Sequence, residues 1–162
     1  MLFSVLSVLF SVFLATESWP SGAPEKTCST LKPIHGSNIG KSASESPYTL
    51  TQSHQDYKAG EKVRVDLRAP AGLPFKGLMV QAYDPKTNSP IGRFLPGKGL
   101  KTYDSCSAVT HTDKRGKRGA MLIWEAPQGT SGRVAFRGTV VKKFSEFYEN
   151  LQASLDKGAA SQ

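Results

Sequence analysis

Apolar and polar positions alternate along much of this chain, and the alternation predicts strands. From Lys62, the segment KVRVDLRA sets Val63, Val65 and Leu67 on one side and Arg64, Asp66 and Arg68 on the other. That period of two is the pattern of a half-buried antiparallel strand. YTLTQS from Tyr48 and VAFRGTVV from Val134 alternate in the same way. PFKGLMVQAYD differs, because Leu78 to Tyr83 is almost unbroken apolar sequence, the pattern of a central strand. AMLIWEAP from Ala120 reads as another buried strand, while Ile91 to Leu95, Leu100 to Tyr103 and Ala108 to Thr112 are weaker signals. Turn formers separate them: KAGE, PKTNSP, PGKG, DKRGKRG and QGTSG. About 8 short strands at spacings of about 8 to 12 residues predict an all-β, two-sheet sandwich. Near the end, Phe144, Phe147, Tyr148, Leu151 and Leu155 carry helical spacing, which fits a short amphipathic helix or a terminal strand followed by a frayed helix. Leu31 to Tyr48 holds turn formers and small polar residues and predicts no regular element.

The N-terminus changes the picture from fold to compartment. Leu2 to Ala15 is uncharged and apolar apart from serines, the length of a signal-peptide core and short of the roughly 20 apolar residues that span a bilayer. The reading is a signal peptide over 1–18, one domain over 19–150 and a disordered tail over 151–162, in a secreted protein. Removing 1–18 takes away Glu17 and no basic residue, so the formal charge of +8 rises by one. A surplus of that sign attracts anionic surfaces at low salt and says nothing about fold. The 2 cysteines, Cys28 and Cys106, most simply pair in an oxidising compartment, and their wide separation lacks the short-range spacing of a zinc motif.

Catalytic signals are weak. GSNIGKS, from Gly36, imitates a phosphate loop, yet its two glycines are one residue too close for GxxxxGK[ST], and Pro33 precedes it where a parallel strand should lie. His35, His54 and His111 are isolated in sequence, so no metal site is predicted. Ser105, His111 and Asp113 supply the residue types of a hydrolase triad without a nucleophile-elbow sequence. The reading is a protein with no enzymatic activity and no cofactor. The densest charge is the run Lys114, Arg115, Lys117 and Arg118 around Gly116. On a hairpin tip these four cations would lie within about one Debye length and grip a polyanion; equally, a charged turn can do no more than link two strands. No finger or RNP-like motif points to nucleic acid.

Taken in order, the motifs make a more specific pattern. WPSGAP (from Trp19), Cys28, KPIHG (from Lys32), SPY (from Ser46) and YKAGEKVRV (from Tyr57) are followed by FKGLMVQAYD (from Phe75) and IGRF (from Ile91). Cys106, THTDK (from Thr110), WEAP (from Trp124) and GRVAFRGTVV (from Gly132) complete it. This combination resembles the reeler (reelin-type) domain in the single-domain form of small secreted arthropod defence proteins. The resemblance implies an immunoglobulin-like antiparallel β-sandwich with a Cys28–Cys106 disulfide. It also implies an antimicrobial or microbe-recognising role in innate immunity. The positive charge makes microbial cell-surface components or anionic glycans the expected partners, with Lys114, Arg115, Lys117 and Arg118 as the expected binding residues. The alternative is an extracellular-matrix adhesion protein holding sulfated polysaccharide. The family's aromatic Phe-Trp ending is replaced here by Phe147-Tyr148, and no reductase module of the larger relatives is present in the sequence.

Overall fold

The computed structural model describes residues 21–158. The signal peptide expected over 1–18 lies outside them, as does the tail beyond Gly158. Two five-stranded sheets form the body of the structure. One is built from β1 (Thr49–Gln52), β3 (Lys62–Arg68), β5 (Arg93–Phe94), β8 (Gly119–Glu125) and β12 (Ser154–Leu155), in the order β12-β1-β3-β8-β5. The other holds β4 (Gly77–Tyr83), β6 (Leu100–Tyr103), β7 (Ala108–His111), β10 (Ala135–Lys143) and β11 (Glu146–Gln152), in the order β11-β10-β4-β7-β6. A two-residue ladder between β2 (Asp56–Tyr57) and β9 (Gly132–Arg133) closes one end. Pairing is antiparallel except where β12 runs parallel to β1. The all-β sandwich is as expected, and the strands beyond the expected eight or so are two-residue segments.

The alternating strands explain the core. Val63, Val65 and Leu67 of β3, with Leu122 and Trp124 of β8, face Leu78, Val80 and Ala82 of β4 and Phe136 and Val140 of β10. Trp124 meets Phe136 edge-on at 5.9 Å and donates its indole N–H to the Ile91 carbonyl at 2.8 Å, so its polar atom is satisfied inside the core. Gly92 at φ +63° lies against this ring, and a Cβ there would come within 2.4 Å of the indole. Side chains of this size bury enough apolar surface to hold two sheets together at roughly 25 cal/mol per Å².

β4 is buried on both faces, and the reason lies in the N-terminal segment. Residues from Ser21 to Leu31, including a 3-10 turn over Glu25–Ser29, cross the outer face of the β4 sheet as a strap. Leu31, Ala23 and Cys28 pack there on Met79, Tyr103, Cys106 and Ala108. The Cys28–Cys106 disulfide, closing a separation of 78 residues, pins the strap down. Ala23 N–H donates to Thr110 Oγ1, and Tyr103 Oη donates to the Ala23 carbonyl at 2.8 Å. Beneath the bridge, Gln81 is buried and donates to the carbonyls of Cys106 and Cys28, while its own oxygen accepts two N–H groups from Arg137. The gap left under the strap is an apolar crevice of about 30 Å³, room for about one water and no organic ligand.

The C-terminal reading needs correction. Of the two expectations for Phe144 to Leu155 the terminal strand holds, while neither the helix nor a tail from 151 forms: β11 runs to Gln152, and Ser154 and Leu155 pair with β1. Asp156 N–H then donates to the Gln52 carbonyl at 2.9 Å, so the tail expected from 151 is ordered sheet edge in its first half. The helical spacing arises from two irregularities in the β10–β11 register. One falls opposite Gly138/Val140, where Asn150 sits at φ 59°, and the other opposite Val141/Lys143. Bulges shift the inside–outside parity, so Tyr148 and Leu151, three positions apart, both reach the core.

Candidate functional site

The THTDK motif leads out of β7 into the basic turn, and each residue has a separate task. Thr110 Oγ1 donates to the Leu78 carbonyl at 2.7 Å. His111 Nδ1 accepts the Leu78 amide at 3.2 Å, with its ring lying over Gly77. Asp113 then organises the turn. Its carboxylate accepts the Arg115 amide at 2.9 Å, the Arg115 guanidinium at 2.9 Å and the Lys117 ammonium at 3.1 Å. The hydrogen bonds from Arg115, followed by that from Lys117, hold its carboxyl well below the usual carboxylate range.

The four cations expected to act together are therefore not equivalent. Lys117 is turned inward, donating to the carbonyls of Lys76, Asp113 and Arg115 and leaving its side chain 17% exposed. Its backbone pairs with Phe75, which docks the turn on the sandwich. Arg115 leans on Asp113 yet stays 85% exposed. Lys114 and Arg118 are exposed. The Asp113–Arg115 spacing is that of an Asx-type turn, a signal that distinguishes a braced turn from a loose one.

Strand register brings further cations to this end of the sandwich. Arg68 ends β3 opposite Gly119, and the Arg118 carbonyl accepts the Ala69 amide, so Arg68 and Arg118 flank a shallow open cleft of about 460 Å³ with Met121 exposed in it. Lys76 N–H donates to the Val141 carbonyl, and Thr112 N–H to the Gly99 carbonyl, which brings the loops bearing Lys76 and Lys98 to the same end as Lys142 and Lys143, the last residues of β10. At the β10–β11 hairpin Lys41, Lys142 and Lys143 gather around Glu146 at 3.5, 3.1 and 3.9 Å, and Lys32 pairs with Glu149 at 2.9 Å. Hydrogen bonds from Tyr148 and Lys142 hold Glu146 at about 2, while desolvation, followed by the Glu146 carboxylate, pushes Tyr148 up to about 12. At the opposite end Asp56, Glu61, Asp84, Asp104 and Glu125 are interleaved with Lys58, Lys62, Lys86, Arg93 and Arg133, with Arg93 donating to Glu125 at 2.6 Å and Arg133 lying 3.5 Å from Asp56. The charge surplus thus sits at the end that carries the basic turn, and the opposite end is close to neutral.

The residues weighed for catalysis are dispersed. Ser105 donates to Glu25, far from the Asp113 turn, and His111 serves Leu78. His54 lies 3.3 Å from Glu61, whereas His35 stacks on Phe144 at 4.5 Å. GSNIGKS is a surface loop whose Asn38 side chain donates to the His35 carbonyl at 2.7 Å. Among the described residues no group of His, Cys, Asp or Glu could hold a metal ion, and no helix is long and apolar enough to cross a membrane.

Comparison with known proteins agrees with the fold. The crystal structure of the Reelin-N domain of F-spondin superimposes with a TM-score of 0.60 at 23% identity, covering 79% of this chain and 96% of that one. A protein of Antheraea mylitta named as a defense protein is 27% identical over 91% of this chain and 91% of its own length. A Drosophila melanogaster protein named as a ferric-chelate reductase 1 homolog is 33% identical over 90% of this chain, which spans only 25% of it. The Reeler domain is matched over residues 26–159. The chain belongs to the Reeler domain family.

Proposed function

We propose that this protein acts outside the cell in defence against microbes, without catalysis, by attaching its cationic end to anionic envelope components or glycans. The observation that carries this reading is the concentration of exposed cations at one end of a rigid sandwich: Lys114, Arg115 and Arg118 on the braced turn, with Arg68 beside them. Relatives of similar length that bear defence names support the role, since each match covers 91% of this chain and 91% or more of the relative. A rigid frame fixes the cations in place, so little conformational freedom is lost on contact. Lys117 belongs to the frame rather than to the grip.

The test is retention of the oxidised protein on intact bacteria and on heparin beads across a salt series. Retention on bacteria that exceeds retention on heparin and falls with salt is the expected result. Replacing Lys114, Arg115 and Arg118 together by alanine is expected to reduce it at least tenfold. Unchanged retention by that variant would sink the assignment, and equal retention on every polyanion would favour matrix adhesion through sulfated polysaccharide.

A further inference from the structure

Of the large hydrophobic side chains that remain exposed among the described residues, two lie in one loop: Ile34 at 59% and Ile39 at 89%. They flank a tight turn in which the His35 carbonyl accepts both the Asn38 amide at 3.2 Å and the Asn38 side chain at 2.7 Å. The loop is not left to wave. His35 is buried, stacked on Phe144 at 4.5 Å and edge-on to Phe147 at 5.3 Å. Just beyond, Lys41 N–H donates to the Phe147 carbonyl, and the Lys41 carbonyl accepts the Glu149 amide. Two isoleucines are therefore presented to solvent from a base clamped on the β10–β11 hairpin. Around that base stand Lys32, Lys41, Lys142 and Lys143, against the two carboxylates Glu146 and Glu149.

We infer that the 34–39 loop is a membrane-interface anchor, seating Ile34 and Ile39 among the acyl chains of an anionic bilayer while the four lysines meet its lipid phosphates. Aliphatic tips ringed by lysine are what an interface with an apolar interior and an anionic rim requires. A soluble polyanion satisfies the lysines alone and gives the isoleucines no partner. The inference rests on the proposed attachment to anionic envelopes and deepens it, by naming lipid as the chemistry and a loop distinct from the 113–118 turn as the contact.

Sedimentation with vesicles of phosphatidylcholine alone, or of equal parts phosphatidylcholine and phosphatidylglycerol, tests it. The oxidised protein is expected to pellet with the anionic vesicles and not with the neutral ones. Each lysine near the surface contributes about fivefold to partitioning. Replacing Ile34 and Ile39 together by serine is expected to cut vesicle binding about a hundredfold, with heparin retention and the thermal melt unchanged. Ile39→Trp should give a fluorescence emission that shifts to the blue on adding anionic vesicles. Equal binding by the wild type and the serine variant, or no blue shift, would overturn the anchor. Wild-type retention on bacteria without binding to phosphatidylglycerol would overturn it too, while leaving the attachment reading intact. Failure on both bacteria and vesicles would remove both.

Discussion

A Cβ added at Gly77 would lie 2.8 Å from His111 Cε1, 3.1 Å from Nε2 and 3.4 Å from Nδ1. Ordinary carbon contacts begin near the last of these, so Gly77→Ala must push the ring back by about 0.6 Å. The ring is not free to move, because Nδ1 accepts the buried Leu78 amide at 3.2 Å. The same displacement stretches that bond to about 3.8 Å, beyond hydrogen-bonding range. A buried amide left unpaired costs about 1–3 kcal/mol and overpacking about as much again, so Gly77→Ala should lose about 2–6 kcal/mol. His111→Ala also orphans the amide and leaves a hole, for about 2–4 kcal/mol. In the double variant the new methyl enters the space that the ring vacated, and the clash disappears. The double variant should therefore be hardly less stable than His111→Ala, a coupling equal to the whole Gly77→Ala loss, about 2 kcal/mol or more. Urea denaturation of the oxidised wild type and the three variants measures it. If the single losses add to within about 0.5 kcal/mol, Gly77 and His111 are not a steric pair and the account of both motifs is wrong.

Other consequences of the structure are open to the same kind of measurement. Replacing Cys28 and Cys106 by serine frees a separation of 78 residues and should lower unfolding free energy by about 4 kcal/mol in denaturant titrations. Amides from Thr27 to Leu31 should also exchange faster, and unchanged exchange would mean that the strap holds without its bridge. Gln81→Leu leaves the Cys28 and Cys106 carbonyls and the Arg137 guanidinium without their buried partner, for about 2–3 kcal/mol, a drop of about 6–12 °C in Tm. Burial lowers the His35 pKa from 6.5, partly opposed by its hydrogen bond to the Phe144 backbone. The unfolded chain then binds the proton more readily, so stability should be full above 6.5 and fall as the pH drops below it, a slope that His35→Phe abolishes.

The strands were legible wherever side chains meet a single environment. Val63, Val65 and Leu67 alternate because one face of β3 meets the core and the other meets water. The continuous apolar run of β4 announced a central strand, but its second covering layer comes from the strap, which has no periodicity to read. The end of the chain misled because bulges at Asn150 and around Lys142 convert a period of two into apparent helical spacing. At the basic turn, composition showed four cations. Only the backbone pairing of Lys117 with Phe75, and the three carbonyls around its ammonium, distinguish the inward lysine from the outward ones. Arg68 went unnoticed because its approach to Arg118 is a matter of register, which alternation alone does not specify.

The polarised charge along the strands has a consequence for how such a molecule travels. With the surplus of lysines and arginines at one end and charges nearly balanced at the other, the sandwich carries a permanent dipole roughly along its strands. Near an anionic wall a dipole feels a torque before any contact forms, and that torque turns the cationic loops toward the wall. At physiological ionic strength its reach is about 8 Å, enough to bias the last step of approach and no earlier one. On the proposed attachment to such a wall, the molecule would land on its cationic end, occupying the cross-section of two stacked sheets rather than its flank. Standing neighbours then pack more densely than reclining ones, and each holds the β2–β9 ladder away from the surface, outward into the surrounding fluid.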